Sequence, residues 1–158
     1  MQFDKIDLKI LGLLQKDAKL SVAQIAERVG LSQSPCWRRI NQLEQLGVIN
    51  AQVSLLNREA LGLNVTVFTS IKLSAHEDDH LKIFEDAVRD IPEVVECHII
   101  MGSVDYILKV VTTDIHAYEI LFRRKLSQIP GVHEINSRMA LSEVKSTTEL
   151  PLRLVKSR

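Results

Sequence analysis

Six polar or aromatic side chains fall within eight consecutive residues of a segment whose apolar residues recur at helical spacing. Hydroxyl, amide and guanidinium groups donate hydrogen bonds to phosphates and to base edges in a DNA groove. We therefore predict a DNA-contacting face formed by Ser32, Gln33, Ser34, Trp37, Arg38 and Arg39. A solvated face of a small helical bundle is the alternative, and Trp37 could equally pack against a preceding helix.

A second polar stretch, from Gly102 to Tyr106, separates two apolar segments. Backbone N–H groups around Gly102 could hold a carboxylate, and Asp105 could hold an ammonium group. A free amino acid presents both charges together. A hairpin turn, in which Gly102 and Asp105 serve the backbone, is the alternative, and the residue types alone leave both open.

The run His76-Glu77-Asp78-Asp79-His80 matches the H-E-x-x-H pattern of zinc hydrolases. It lies between a predicted strand and a predicted helix, where acidic residues interact favourably with the helix dipole, and no third ligand follows at a suitable spacing. No Ser/His/Asp arrangement, P-loop or G-x-G-x-x-G accompanies it. We therefore predict no metal, no cofactor and no enzymatic activity, with a metal-dependent hydrolase as the least favoured alternative.

The elements that carry the first polar face form a helix-turn-helix. Ala26 lets a second helix cross closely, Gly30 can adopt a positive φ, and Ser32 can cap the helix that follows. The predicted helices are Lys5–Gln15, one that begins near Ser21, and Gln33–Leu46. The predicted inward stripe of the last helix comprises Leu31, Cys36, Ile40 and Leu43. Three helices in about fifty residues indicate a compact helix-turn-helix domain, either winged-helix-like or plain.

The rest of the chain contains a repeat of strand, helix and strand, each helix being followed by an Ile-Pro pair. The predicted strands are Val65–Leu73, Val94–Met101, Tyr106–Thr112 and Val132–Leu141, and the predicted helices are His80–Asp90 and Ile115–Gln128. Val48–Leu55 alternates with period two, as a strand or an extended linker would. Two βαβ units predict a ferredoxin-like βαββαβ sheet, so the fold class is α+β.

Charge and composition constrain partners and location. The net charge is zero, but residues 1–50 hold seven Lys and Arg against five Asp and Glu, so several copies must act together to bind DNA.

The strands look apolar on both sides, and a second copy would cover the free face. Cys36 and Cys97 both fit buried positions. With no signal peptide and no apolar run of membrane-spanning length, we expect a cytoplasmic protein without a membrane partner.

The chain resembles the Lrp/AsnC family of feast/famine transcriptional regulators over nearly its whole length. The matching residues are Asp4, Asp7, Ile10 and Leu11, then Val29-Gly30-Leu31-Ser32, Arg39-Ile40-x-x-Leu43-Glu44-x-x-Gly47-Val48-Ile49, Met101-Gly102-x-x-Asp105-Tyr106, and Glu143-Val144-Lys145-Ser146-Thr147-Thr148-Glu149-Leu150-Pro151. Their order and spacing together identify the family.

The resemblance implies a homodimer that assembles into octamers or similar rings and an amino acid effector lodged between neighbouring dimers. By match to the family motif, Gly102, Asp105 and Tyr106 are the ligand positions, while Ser103 and Val104 occupy variable positions and tune which amino acid fits. Ser137, on the last strand, is a further candidate that would face the pocket from a neighbour.

We therefore predict a sequence-specific regulator that binds double-stranded DNA and whose assembly and DNA affinity respond to a small effector, an amino acid. An effector-independent architectural protein that wraps DNA is the alternative. The predicted domains are residues 1–50 for DNA binding, 51–63 as a linker, 64–146 for effector binding and oligomerisation, and 147–158 as a tail.

Overall fold

The computed structural model describes residues 3–74 and 78–157, and over these it contains five α-helices and four β-strands. The helices are α1 (Lys5–Leu14), α2 (Val22–Val29), α3 (Gln33–Gln45), α4 (Asp78–Arg89) and α5 (Ile115–Arg124). The strands are β1 (Val65–Leu73), β2 (Val94–Ile99), β3 (Tyr106–Thr112) and β4 (Val132–Met139), and 3₁₀ turns occupy Leu126–Gln128 and Leu152–Leu154. None of the described helices is long and apolar enough to cross a membrane.

Contacts divide the chain into two units. The N-terminal unit runs up to Leu55 and also includes the C-terminal segment from Lys145 onwards. The sheet unit spans Leu56–Val144. The chain therefore passes between the two units twice.

The helices of the N-terminal unit begin and end where the sequence places the caps. Asp4 and Ser21 each complete a capping box. In each box the cap side chain accepts from the backbone N–H of the third helical residue, and the side chain of that residue accepts from the backbone N–H of the cap. Gly30 ends α2 with φ 76°, a conformation that favours glycine. Ser32 occupies the cap position of α3 but makes no side-chain capping bond, so its predicted capping role is wrong.

The three helices pack around one small core, which comprises Ile10, Ile25, Ala26, Val29, Cys36, Ile40 and Leu43. Three of the four predicted stripe residues of α3 are in it, and Leu31 packs against its edge. A helix-turn-helix is the result, as predicted.

An ion-pair cluster joins α3 to α1. The Arg39 Nη1 lies 2.7 Å from Asp4 Oδ2 and 2.7 Å from Asp7 Oδ1, so one guanidinium bridges two carboxylates of the first turn. A hydrogen bond from the Asp7 backbone N–H, together with the Arg39 guanidinium, lowers the pKa of the Asp4 carboxyl. The carboxylates in turn raise the pKa of Arg39. We refer to Asp4, Asp7 and Arg39 as the clasp.

The sheet unit has the predicted ferredoxin-like topology. Its strands lie in the order β2-β3-β1-β4, and all neighbouring pairs are antiparallel. One face carries the core beneath α4 and α5, with Phe84 and Val88 from α4 and Tyr118 and Leu121 from α5. The βαββαβ order therefore places both helices on one side of the sheet.

Several boundaries differ from the predicted ones. Strands β2 and β4 are each two residues shorter, and α5 stops four residues early because Lys125 leaves helical geometry and a 3₁₀ turn follows. Residues 50–57 form neither helix nor strand, which favours the extended linker over the strand. Cys36 is buried as predicted, but Cys97 is exposed on the edge strand β2.

The sheet face turned away from the helices is mixed, not apolar as predicted. Phe68 pairs in register with Lys109 on one side and Arg138 on the other. Ser70 likewise pairs with Ile107 and Asn136. Phe68 nevertheless stays 44% exposed at the centre of this face.

Replacing Arg39 by Ala should destabilise the N-terminal unit. The substitution removes both bonds of the clasp and leaves two carboxylates on α1 without their cation, at a cost of about 1 kcal/mol or a few degrees in Tm. Thermal melts followed by circular dichroism measure this, with Arg38→Ala, on the exposed side of the same helix, as the control. Equal melting of the two variants would contradict the role given to the clasp.

Candidate functional site

Five of the six side chains predicted to contact DNA lie at the exposed beginning of α3. They are Ser32, Gln33, Ser34, Trp37 and Arg38. Trp37 is 54% exposed, so its ring is outside the core that α3 forms with the other helices. The face offers hydroxyl, amide and guanidinium donors around one flat ring, which are groups that bind phosphates and base edges.

Arg39 differs from the other five because its guanidinium is held by the clasp. It is half-buried, and both of its short contacts go to carboxylates of α1. The helical spacing contains the signal for this: Arg39 follows Cys36 by three residues and precedes Leu43 by four, so it borders the buried stripe. The structure thus assigns Arg39 a structural position instead of the predicted place on the DNA-contacting face.

The segment 100–105, which we call the link, joins β2 to β3. Its ends meet where the Ile100 N–H donates to the Asp105 carbonyl at 3.0 Å, so the hairpin turn given above as the alternative is present. Gly102 has φ 150°, which favours glycine, and a Cβ there would meet nothing within 4 Å. Among the described residues, none accepts a hydrogen bond from the backbone N–H groups of residues 102–104.

Asp105 anchors the link to the neighbouring strand. Its Oδ2 accepts from the Leu73 N–H at 2.7 Å, and its own N–H donates to the Ile71 carbonyl at 2.8 Å. Both contacts attach the link to the end of β1. The carboxylate that was expected to bind an ammonium group therefore also has a structural task.

Tyr106 lies in the core of the sheet unit, with 1% exposure, and not in the open part of the link. Its ring centroid is 4.5 Å from that of Phe84, and its hydroxyl donates to Glu85 Oε1 at 3.1 Å. Burial and the neighbouring Glu85 carboxylate raise the pKa of Tyr106 to about 12. The strict alternation of Tyr106 with Leu108 and Val110 was the available signal for an inward position.

A groove of about 400 Å³ adjoins the link. Its lining residues are Glu85, Val88, Arg89, Val94, Val95, Glu96, Cys97, Ile99 and Tyr106. Ile99 and Tyr106 are also the cross-strand pair at the two ends of the link. Most of these residues were not predicted, because α4 and β2 contribute them from separate parts of the chain. The groove combines a cation, carboxylates and apolar walls, which together suit a small zwitterion with an aliphatic part.

Ser137 lies away from the link within one chain. It pairs with Thr69 on β1, which in turn pairs with Leu108 on β3, so two strand spacings separate Ser137 from β3. Its hydroxyl hydrogen-bonds to the Tyr118 hydroxyl on the helix side of the sheet, and Tyr118 also bonds Thr69 Oγ1 at 2.9 Å.

The H-E-x-x-H pattern begins at His76 and Glu77, which lie outside the described residues. Elsewhere, the described part of the chain contains no group of three or more His, Cys, Asp or Glu side chains suited to hold a metal ion.

Both units match known sequence families. Residues 3–50 match the family described as winged helix-turn-helix DNA-binding, and residues 66–150 match the Lrp/AsnC ligand binding domain. The second match alone covers more than half of the chain. The chain belongs to the Lrp/AsnC family. Like its relatives, it is a DNA-binding transcriptional regulator with a ligand-binding domain, and it is not an enzyme.

Individual relatives are similar to this chain over nearly its full length. The Lrp/AsnC chain is 37% identical to the DNA-binding transcriptional activator DecR of Escherichia coli K12, over 94% of this chain and 98% of DecR. It is 44% identical to an AsnC family regulator from Agrobacterium tumefaciens, with a TM-score of 0.91 and coverage of 96% and 98%. A Neisseria meningitidis transcriptional regulator in complex with L-Met has 36% identity, a TM-score of 0.92 and coverage of 96% and 97%.

The lowered pKa of Asp4 predicts acid sensitivity of the N-terminal unit. A carboxyl with a lower pKa in the folded state stabilises the fold above its unfolded pKa of about 3.9, and that stabilisation is lost as pH falls through the folded pKa. Asp4→Asn should therefore lower the Tm at pH 7 and melt with a shallower dependence on pH between about 5 and 2.

Thermal melts across this pH range test the point, with Asp17→Asn, an exposed carboxylate in the turn after α1, as the control. An equally steep dependence of Tm on pH in Asp4→Asn and in the unmodified protein would contradict the stabilising role of the Asp4 carboxylate.

Proposed function

We propose that this regulator reads specific DNA sequences with the exposed face of α3 and that an amino acid bound near the link changes its assembly and its DNA affinity. The observation that carries the first part is the division of α3 into two sides. Cys36, Ile40 and Leu43 are buried, while Ser34, Trp37 and Arg38 are exposed. A recognition helix needs this division, because one side must stay fixed to its own domain while the other enters the groove.

In this proposal Arg38 is the cation of the face, and Ser32, Gln33 and Ser34 supply hydrogen bonds to phosphates and base edges. Trp37 presents a flat apolar surface beside them. Arg39 acts as a positioning residue, since the clasp fixes α3 against α1 and thereby sets the direction of the exposed side chains.

The proposal includes a homodimer that assembles further, with an octamer as the expected form. Residues 1–50 carry only a small excess of positive charge, so paired recognition helices are needed for firm binding. Phe68, exposed on the free sheet face beside the half-buried Ile107, supplies an apolar contact for a second copy.

The effector in this proposal is an amino acid bound at residues 102–104 and the adjoining groove. Backbone N–H groups of Gly102, Ser103 and Val104 are suited to a carboxylate, and the groove supplies charges of both signs with apolar walls. The L-Met complex of the Neisseria relative supports this class of ligand. Asp105 and Tyr106 hold the link in place, and Ser137 would reach such a ligand only from another copy.

Arg38→Ala should weaken DNA binding without lowering stability. Loss of one phosphate or base contact per subunit predicts about tenfold weaker binding. The slope of log affinity against log salt concentration should fall by the amount that corresponds to roughly one phosphate contact per subunit. Fluorescence anisotropy at several salt concentrations, with a duplex that the protein selects from a random-sequence pool, measures both. Arg124→Ala, which removes the same charge from the exposed surface of α5, is the control. Unchanged affinity and salt slope in Arg38→Ala would place the DNA contact elsewhere.

At least one of the twenty amino acids should bind and shift DNA affinity. Calorimetry identifies the ligand. Anisotropy in its presence and absence measures the shift in DNA affinity. Sedimentation under the same conditions measures the oligomeric state, which should be dimeric or larger. Gly102→Ala should abolish ligand binding, because its φ disfavours a side chain, and it should leave DNA binding intact.

Gly62→Ala is the matched control, since Gly62 also has a positive φ and open space but lies outside the link. No shift with any amino acid would favour the effector-independent architectural alternative. Monomeric sedimentation at micromolar concentration would refute the assembly.

A further inference from the structure

The C-terminal segment from Lys145 onwards, which we call the tail, packs on α1. Gln15 binds the tail backbone with both ends of its amide: Oε1 accepts from the Leu150 N–H at 3.0 Å, and Nε2 donates to the Leu150 carbonyl at 3.3 Å. Farther along, Phe3 and Ser157 form a parallel backbone bridge. These contacts fix the tail at both ends of α1.

Between these contacts, Glu149 and Leu152 of the tail line a groove of about 410 Å³ together with residues of α1 and α2. Leu152 is half-buried there, and its Cδ1 would lie 3.9 Å from a Cβ at Gly12, an ordinary van der Waals distance, so the side chain is close to α1 at this position. Lys9, Lys16 and Arg28 line the same groove as Glu149 of the tail. The next leucine, Leu154, is 71% exposed, so Leu152 provides the apolar anchor of this turn.

The tail is the direct continuation of the last strand of the sheet unit. Ala140, just after β4, still donates to the Thr66 carbonyl of β1 at 2.9 Å. Nine residues then lead to Leu150, which Gln15 binds. A change at β4, the strand that carries Ser137, can therefore reach α1 through a short covalent connection independent of the linker at 50–57.

Helix α1 also contacts the recognition helix through the clasp. Gln15 lies at its C-terminal end, whereas Asp4 and Asp7 lie at its N-terminal end and hold Arg39 of α3. The tail and α3 are thus attached to one rigid ten-residue helix, and the coupling requires no other element.

We propose that the docked tail is the connection through which effector binding in the ligand-binding domain changes DNA affinity. Asp105 attaches the link to the end of β1, and β1 pairs with β4. A ligand-induced change at the link therefore reaches β4 and alters how the tail sits on α1, and α1 passes the change to α3 through the clasp. This inference rests on the proposed effector response and adds the element that carries it.

The test compares Leu152→Ala with Leu154→Ala, two equal truncations in one turn. DNA affinity is measured by anisotropy with and without the amino acid that gives the largest shift in the unmodified protein, and calorimetry measures amino acid binding. Leu152→Ala should bind the amino acid within about twofold of the unmodified protein, while the ligand-induced fold-change in DNA affinity falls towards one. Leu154→Ala should keep the full fold-change. A merely structural role for Leu152 would weaken DNA binding equally with and without ligand and leave the fold-change intact.

Gln15→Ala provides an independent variant, because it removes the two bonds to Leu150 from a polar position without touching the core. It should reduce the fold-change in the same way. A full ligand response in both Leu152→Ala and Gln15→Ala overturns the tail inference while the effector proposal stands. Absence of any response in the unmodified protein overturns both, so the two failures are distinguishable.

Discussion

The bridge from Arg39 to Asp4 and Asp7 is the interaction on which the functional arrangement of the N-terminal unit depends. The small core shared by α1, α2 and α3 stabilises the packing of the three helices but does little to fix their relative orientation, because apolar contact is non-directional. A guanidinium shared by two carboxylates fixes both distance and orientation. With α3 held in this way, the exposed side chains from Ser32 to Arg38 share a defined direction, which recognition of a DNA groove requires.

The same arrangement explains why two adjacent arginines have different roles. On a helix, consecutive residues are separated by about 100°, so Arg39 borders the buried stripe while Arg38 points outward. One arginine therefore contributes to the fold and the other is available to a phosphate. The ligand-binding domain shows the same division, because Asp105 and Tyr106 hold the link through contacts with β1 and α4 while Gly102 and Ser103 remain exposed.

Hydrophobic periodicity and caps predicted the helix-turn-helix, the ferredoxin-like order and most boundaries, because these features are local in sequence. Residue types predicted the DNA-contacting face and family motifs the ligand positions, but neither predicted which way each side chain faces, so Arg39 and Tyr106 are grouped there with exposed neighbours. Contacts across long separations had no sequence signal. The Gln15 pairing with Leu150 joins a side chain to a backbone 135 residues away, and the groove beside the link combines residues of α4 and β2.

We propose the exposed face of α3 as the surface that contacts DNA. Trp37 is the single tryptophan of the chain and lies within that face, so its fluorescence reports on the contact directly. Acrylamide quenching should be strong in the free protein and fall markedly when a selected duplex saturates it. An unchanged quenching constant at saturating DNA would contradict the claim, because it would show that the duplex binds a different surface.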